Sequence, residues 1–226
     1  MKRIFFVLFL FLLSSSFCES APSYGTKQPE KNQIFIGAQT YSILERKLEQ
    51  EHGEVSSLQH FINISYGIFD WLSLDLKGGA GNIKQKPDIG NEIVYPSYMS
   101  GGYGFRIKLY ENPKTKYVFG FQHISVHPYS QKVDETKHKA VLDDWQLSFL
   151  GSIKTSKITP YLGFRWSRTD YIHWVNDERN RKKSDLTNSI GIIAGGDIKI
   201  NERTWINIEG QFIDAKAFSI GMHFNF

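Results

Sequence analysis

The sequence predicts an all-β fold: a transmembrane antiparallel up-and-down β-barrel of about ten strands, with eight strands as the alternative. Three observations predict it. Successive short segments alternate apolar and polar side chains, as strands with one apolar face do. Long and short connections alternate between these segments. The chain also ends directly on an apolar strand whose last residue is Phe226.

The C-terminal stretch Ala217–Phe226 shows the alternation most clearly. Alternate side chains of a strand face opposite sides, so this strand has one apolar and one polar face. A long apolar edge strand would recruit other chains, whereas the last strand of a closed barrel pairs with the first and leaves no edge. The apolar face carries Phe218, Ile220, Met222, Phe224 and Phe226, and the polar face carries Ser219, Gly221, His223 and Asn225.

The first residues read as a secretory signal peptide, residues 1–20. Lys2 and Arg3 precede a short apolar run, Ile4–Leu13, and a serine-rich stretch follows. Cleavage after Ser20, with cleavage after Cys18 as the alternative, removes Cys18, the only cysteine, and cleavage after Ser20 changes the net charge from +4 to +3. The mature chain then has no disulfide and no thiolate chemistry. Its small positive charge gives no reason to expect a nucleic-acid partner.

Residues 21–32 are expected to form a mobile periplasmic lead-in, and residues 33–226 the barrel. No later run approaches the ~18 apolar residues of a membrane helix. The predicted strands are Gln33–Tyr41, Leu58–Tyr66, Trp71–Gly81, Met99–Leu109, Tyr117–His127, Asp144–Ile153, Thr159–Tyr171, Thr187–Ile200, Thr204–Ile213 and Ala217–Phe226.

The connections predict the orientation. Outer-membrane barrels have short periplasmic turns and longer extracellular loops, which places both chain ends in the periplasm. The connection Ile213–Lys216 is shorter than the other outer ones. The predicted short turns are Gly67–Asp70, Tyr110–Thr115, Lys154–Lys157 and Asn201–Arg203, and the long charged loops are Leu44–Ser57, Asn82–Ser97, Pro128–Leu142 and Asp177–Lys183.

The terminal strand and the tract Tyr66–Leu74 resemble the strand–turn–strand units of small bacterial outer-membrane barrels, the opacity-like and OmpA-like type. The resemblance concerns the pattern over about residues 33–226. It implies the outer membrane of a Gram-negative cell envelope, and recognition of the C-terminal aromatic strand by the barrel assembly machinery. A soluble β-barrel or sandwich is the alternative, but it explains neither the aromatic faces nor the terminal phenylalanine.

Many of the strand positions predicted to face the lumen have charged side chains. Buried charges need partners, so we expect an ion-pair network that fills a narrow lumen. Because basic residues outnumber acidic ones, a narrow channel for small anionic solutes is an alternative. The expected network consists of Asp75, Lys77, Arg106, Lys108, Arg165, Asp197, Lys199, Glu209 and His223.

The fifth predicted strand carries polar residues on its aromatic face. His123 and Ser125 follow Phe119 and Phe121 on the same parity. A histidine beside a hydroxyl can activate a nucleophile, with Asp144 as a candidate carboxylate. His-x-Ser resembles the catalytic pair of the lipid A deacylases, which implies a hydrolase facing the outer leaflet. That family has an asparagine after the serine, where this chain has Val126.

The favoured expectation is a monomeric barrel without enzymatic activity, with a structural, adhesive or surface-interaction role. Outer-membrane lipid, and lipopolysaccharide in particular, is its expected partner. The histidines show no metal-ligand spacing, so no metal or other cofactor is expected.

Overall fold

The computed structural model describes residues 22–49, 53–133, 135–183 and 188–226. The predicted signal peptide lies outside these residues. Within them the chain forms twelve strands, β1 (Ile34–Lys47), β2 (Glu54–Phe69), β3 (Leu72–Lys86), β4 (Ile93–Glu111), β5 (Thr115–His127), β6 (Gln131–Val133), β7 (Thr136–Ile153), β8 (Ile158–Val175), β9 (Glu178–Lys183), β10 (Ile190–Lys199), β11 (Thr204–Phe212) and β12 (Lys216–Asn225).

Ten of these strands form a closed antiparallel barrel. β1 pairs with both β2 and β12, and the β7–β8 pairing completes the ring. The short strands β6 and β9 add to β7 and β8 at one end only. The predicted ten-stranded up-and-down barrel is therefore confirmed. Within the described part of the chain, no helix has the length and hydrophobicity needed to cross a membrane.

The alternation decides which side chains face out. Along β12, buried and exposed residues alternate from Ala217 to Phe224, with the aromatic and aliphatic side chains exposed. The same parity on other strands produces a continuous outer apolar belt, which includes Ile62, Ile64, Leu74, Leu76, Leu147, Phe149, Leu162, Phe164, Trp166, Phe218, Ile220 and Met222.

Four of the predicted outer loops are mostly strand. β1 continues to Lys47 and β2 begins at Glu54, so only residues 48–53 connect them. The sequence predicts loops in these segments because their outward positions are charged. The apolar side chains of these strand extensions lie on the inward face instead. Val55, Ile83, Tyr95 and Tyr171 are buried at these heights.

The barrel wall is uneven in height. β10, β11 and β12 have 10, 9 and 10 residues, whereas β4 and β8 have 19 and 18. The outer part of the molecule is therefore built mainly from β1–β9, above a short β11–β12 connection at residues 213–215.

Opposite walls pack together in this outer part. Tyr95 of β4 and Tyr171 of β8 meet across the barrel with hydroxyls 3.2 Å apart, and Tyr171 donates to Gln85 of β3 at 2.8 Å. Thirteen buried residues form the outer core around them. Each large aliphatic or aromatic side chain there contributes about 1.5–3 kcal/mol through burial. The outer core consists of Tyr41, Ile43, Leu48, Val55, Phe61, Ile83, Tyr95, Ile124, Val126, Ala140, Leu142, Tyr171 and Ala217.

Candidate functional site

The N-terminal segment, residues 22–32, enters the barrel from the end that holds the short turns. Ser23, Tyr24, Thr26 and Gln28 are buried. The Thr26 hydroxyl donates to Ser152 of β7 at 2.7 Å. This differs from the mobile lead-in expected from the sequence. The sequence of the segment is polar and has no strand periodicity, which predicts mobility. The segment is nevertheless held in place because charged side chains in the lumen bind it.

Arg106 of β4 links the segment to the barrel wall. Its guanidinium forms two hydrogen bonds with Asp75, Nε to Oδ2 at 2.9 Å and Nη2 to Oδ1 at 2.7 Å. Its Nη1 donates to the backbone oxygens of Tyr24 and Lys27, at 3.3 and 2.5 Å. Ser65 and Gln122 also donate to Asp75. Every charge of this pair is thus hydrogen-bonded, as burial requires.

Glu209 of β11 holds the beginning of the segment. It accepts the backbone N–H of Ser23 at 2.9 Å, the Ser23 hydroxyl at 3.0 Å and the Tyr161 hydroxyl at 3.0 Å. Lys77 is buried with its ammonium 4.2 Å from the centre of the Tyr24 ring. The segment therefore supplies partners to charges that face the lumen.

A second buried ion pair was missed by the sequence analysis. Asp214, in the β11–β12 connection, points into the barrel and receives Arg165 through Nε at 3.0 Å and Nη2 at 2.7 Å. Arg46 of β1 donates to the other Asp214 oxygen at 3.2 Å and to Ser167 at 3.0 Å. A bulge between Ile43 and Arg46 turns Arg46 inward, against the parity of the strand. Arg46 thereby joins β1 to β8 above the short strands.

The remaining predicted lumen residues lie near the short-turn end. His223 stacks on Trp205 with ring centres 5.4 Å apart. The Asp197 carboxylate accepts a hydrogen bond from the side-chain amide of Asn207 at 2.8 Å. Lys108 pairs with Glu111 at 2.7 Å at the rim. Lys199 is exposed and donates to Glu202 at 2.6 Å, which lowers the pKa of the Glu202 carboxyl from its usual value.

The polar residues of β5 face outward, above the apolar belt. Ser125 lies between two groups: its hydroxyl donates to Asp143 Oδ1 at 2.5 Å and lies 2.8 Å from His127 Nε2. His123 Nε2 is 3.9 Å from Asp143 Oδ1. Neither ring nitrogen of His123 has a hydrogen-bond partner among the described residues. The structure thus brings Ser125, His127 and Asp143 together, with His123 beside them.

Asp144 does not join this cluster. It faces the lumen, is 2% exposed, and accepts the Thr169 hydroxyl at 3.2 Å. Adjacent residues of a strand point to opposite faces, so the carboxylate on the outward side is Asp143. The alternation of β5 in the sequence also predicts that His127 shares a face with Ser125, and the structure places the two side chains together.

The outward surface of β6–β9 is strongly basic, and we call it the basic face. Lys139 of β7 and Arg179 of β9 flank Trp174 of β8, with their cations 5.2 and 5.7 Å from its ring. On the same face Asp170 is bound by Arg168 and Arg181. The basic face consists of Lys132, Lys137, Lys139, Arg168, Arg179 and Arg181.

No known family model matches this sequence, and no curated protein matches it. Among solved structures, the chain is similar to Ail, the attachment invasion locus protein of Yersinia pestis, with a TM-score of 0.45 and 8% identity over 87% of this chain and 99% of that one. It is similar to the outer membrane protease OmpT from Escherichia coli, with a TM-score of 0.44 and 9% identity over 91% and 100%. For OprG from Pseudomonas aeruginosa the values are 0.43 and 9% over 88% and 98%. Likenesses this remote carry no argument about activity.

The architecture itself identifies the environment. A closed ring of strands leaves no unpaired edge, and its outward belt is apolar while the buried side chains behind that belt are mostly polar or charged. A soluble barrel reverses this arrangement, with an apolar interior and a polar outside. The chain is a transmembrane β-barrel of the bacterial outer membrane.

Proposed function

We propose that this protein is a non-conducting outer-membrane barrel that acts through its extracellular surface, in a structural, adhesive or surface-interaction role. The observation that carries the proposal is the basic face. Lys132, Lys139 and Arg179 form no ion pair with a described carboxylate, so their charges are available to an external anion.

The height of the basic face suggests the partner. Arg168 lies opposite Trp145 in the β7–β8 register, at the upper edge of the aromatic belt, and Trp174 lies opposite Lys139 six residues further out. At ~3.3 Å per residue and a strand tilt of about 40°, the face rises roughly 15 Å above the belt. The phosphates of a lipid head group lie outside the hydrocarbon region, on the side where this face is found, and anionic head groups attract basic surface residues. Arginine and lysine bind phosphate through charge-assisted hydrogen bonds, and Trp174 suits the interface between apolar and wet regions.

The test is binding of phosphorylated lipopolysaccharide to the protein in neutral detergent. Substituting Lys132, Lys139 and Arg179 together by Gln should weaken binding about tenfold or more, and the remaining affinity should depend less on salt. The control replaces Lys47 and Lys84, exposed at the outer ends of β1 and β3, by Gln. Equal losses in both variants, or no loss in the first, would exclude the basic face as the site.

A second candidate, the outer-leaflet hydrolase, is favoured by the Ser125 cluster. A hydroxyl held between a carboxylate and an imidazole has the components of nucleophilic catalysis. In the described geometry, however, Asp143 contacts the serine rather than the far nitrogen of a histidine, so the relay of a catalytic triad is not formed.

We expect the lipid A of cells that express the wild-type protein to have the same mass spectrum as that of cells expressing Ser125→Ala. Ser148→Ala, which changes a lumen hydroxyl, serves as the control. An acyl chain lost with the wild type and with Ser148→Ala, but kept with Ser125→Ala, would make the hydrolase the better assignment.

The narrow anion channel is the third reading of the sequence. It requires a continuous path through the lumen. The N-terminal segment lies inside the periplasmic part of the barrel and the outer core lies in the extracellular part, which supports the surface role that we favour.

A further inference from the structure

A pocket of about 270 Å³ lies at the periplasmic mouth of the barrel. One wall is the N-terminal segment, through Thr26 and Lys27, and the others are β4, β5, β7, β8, β10 and β11. At ~30 Å³ for each water, this volume is equivalent to roughly nine water molecules, which is room for a phosphate with a few attached atoms.

The pocket has an excess of positive charge. Five of its lining residues are lysines, namely Lys27, Lys116, Lys154, Lys157 and Lys199, and two are carboxylates. Glu111 already binds Lys108 and Lys154, and one oxygen of Asp197 accepts Asn207. Lys154 is thereby paired, and Lys199 donates to Glu202 outside the pocket, so Lys27, Lys116 and Lys157 are the pocket lysines that form no ion pair with a described carboxylate.

Lys116 is the most informative of the five. It is only 8% exposed, yet its side chain forms no ion pair with a described carboxylate. Lys27 approaches from the opposite wall with its ammonium 3.7 Å from the centre of the Trp205 ring. Glu111 interacts with Lys116 electrostatically but forms its ion pairs with Lys108 and Lys154, so an anion in the pocket would meet two ammonium groups, those of Lys27 and Lys116, that have no ion-pair partner among the described residues.

Hydroxyl groups complete the lining. Thr26 donates to Ser152 at 2.7 Å, and Thr155 and Thr159 lie at the same mouth. Ammonium groups and hydroxyls together match the several oxygens of a phosphate group. We propose that this pocket binds a phosphate-bearing ligand from the periplasmic side, between the N-terminal segment and the barrel wall.

This chemistry has two sources at that position: the head group of an anionic phospholipid in the inner leaflet, or a free phosphorylated solute. Titration calorimetry on the purified protein distinguishes them with pyrophosphate, glycerol 3-phosphate and dihexanoyl phosphatidylglycerol, and with glycerol as the uncharged control. A lipid site would bind the phosphatidylglycerol about tenfold or more tightly than glycerol 3-phosphate, and a solute site would bind the two equally.

The variants tie binding to the pocket. Lys116→Gln should weaken binding of the phosphate compounds about tenfold and the exposed Lys157→Gln about threefold, because each removes a charged donor. Lys84→Gln, at the opposite end of the barrel, should bind as the wild type does. If Lys116→Gln fails to show the heat-modifiable gel mobility of a folded barrel, Lys27→Gln takes its place. Absence of binding by every phosphate compound, or an equal loss in Lys84→Gln, would overturn the proposal.

Discussion

Replacing Asp214 by Ala should destabilise the barrel by about 3–5 kcal/mol, the cost of leaving a buried charge without its partner. Asp214 holds two guanidinium groups, and the side chains of Arg46 and Arg165 are 1% and 0% exposed. Among the described residues, Asp214 is the carboxylate that forms an ion pair with Arg165. The measurement is the free energy of unfolding in lipid vesicles, from tryptophan fluorescence during denaturant titration.

Two further variants make this result specific. Asp214→Asn keeps a hydrogen-bond acceptor and should cost less than Asp214→Ala. Asp88→Ala removes an exposed carboxylate in the β3–β4 connection and should change the free energy of unfolding by less than about 0.5 kcal/mol. Similar free energies for Asp214→Ala and Asp88→Ala would contradict the role assigned to the buried network.

The strand alternation made the barrel predictable. On β3 the leucines at 72, 74 and 76 alternate with Ser73, Asp75 and Lys77, and a period of two allows only two choices of outward face. The short and long connections then decided the orientation. The choice of face for β5 also placed His123 and Ser125 correctly on the outward side.

Other features depend on tertiary contacts that periodicity does not encode. The bulge before Arg46 inverts the facing of that residue, and Asp214 lies in a connection rather than on a strand. Ile213, directly before it, has a φ of 85°, a conformation that β-branched residues rarely adopt. Nothing in the sequence of this connection marks it as the partner of two arginines.

The N-terminal segment illustrates the same limit. Ser23 and Tyr24 have no pattern of their own, so composition alone suggests a mobile tail. Their positions are set by Glu209 and Arg106, which lie far away in the chain and need partners inside the barrel. The unpaired charges predicted to face the lumen are the feature of the sequence that indicates a segment bound inside the barrel.

The obstruction of the lumen that we propose predicts that the protein does not conduct in planar lipid bilayers. Two independent features lie inside the barrel along this path, the N-terminal segment and the outer core around Tyr95 and Tyr171. Deleting residues 22–30 should empty the periplasmic part and leave the outer core in place. Neither the wild type nor this deletion should therefore open a stable pore.

Single-channel recording is the most direct test that the protein acts at its outer surface rather than through its lumen. The purified barrel, inserted at a density at which a general porin gives frequent current steps, should give none at either polarity. Reproducible steps of constant amplitude from the wild-type protein would contradict this account and make the narrow anion channel the better assignment.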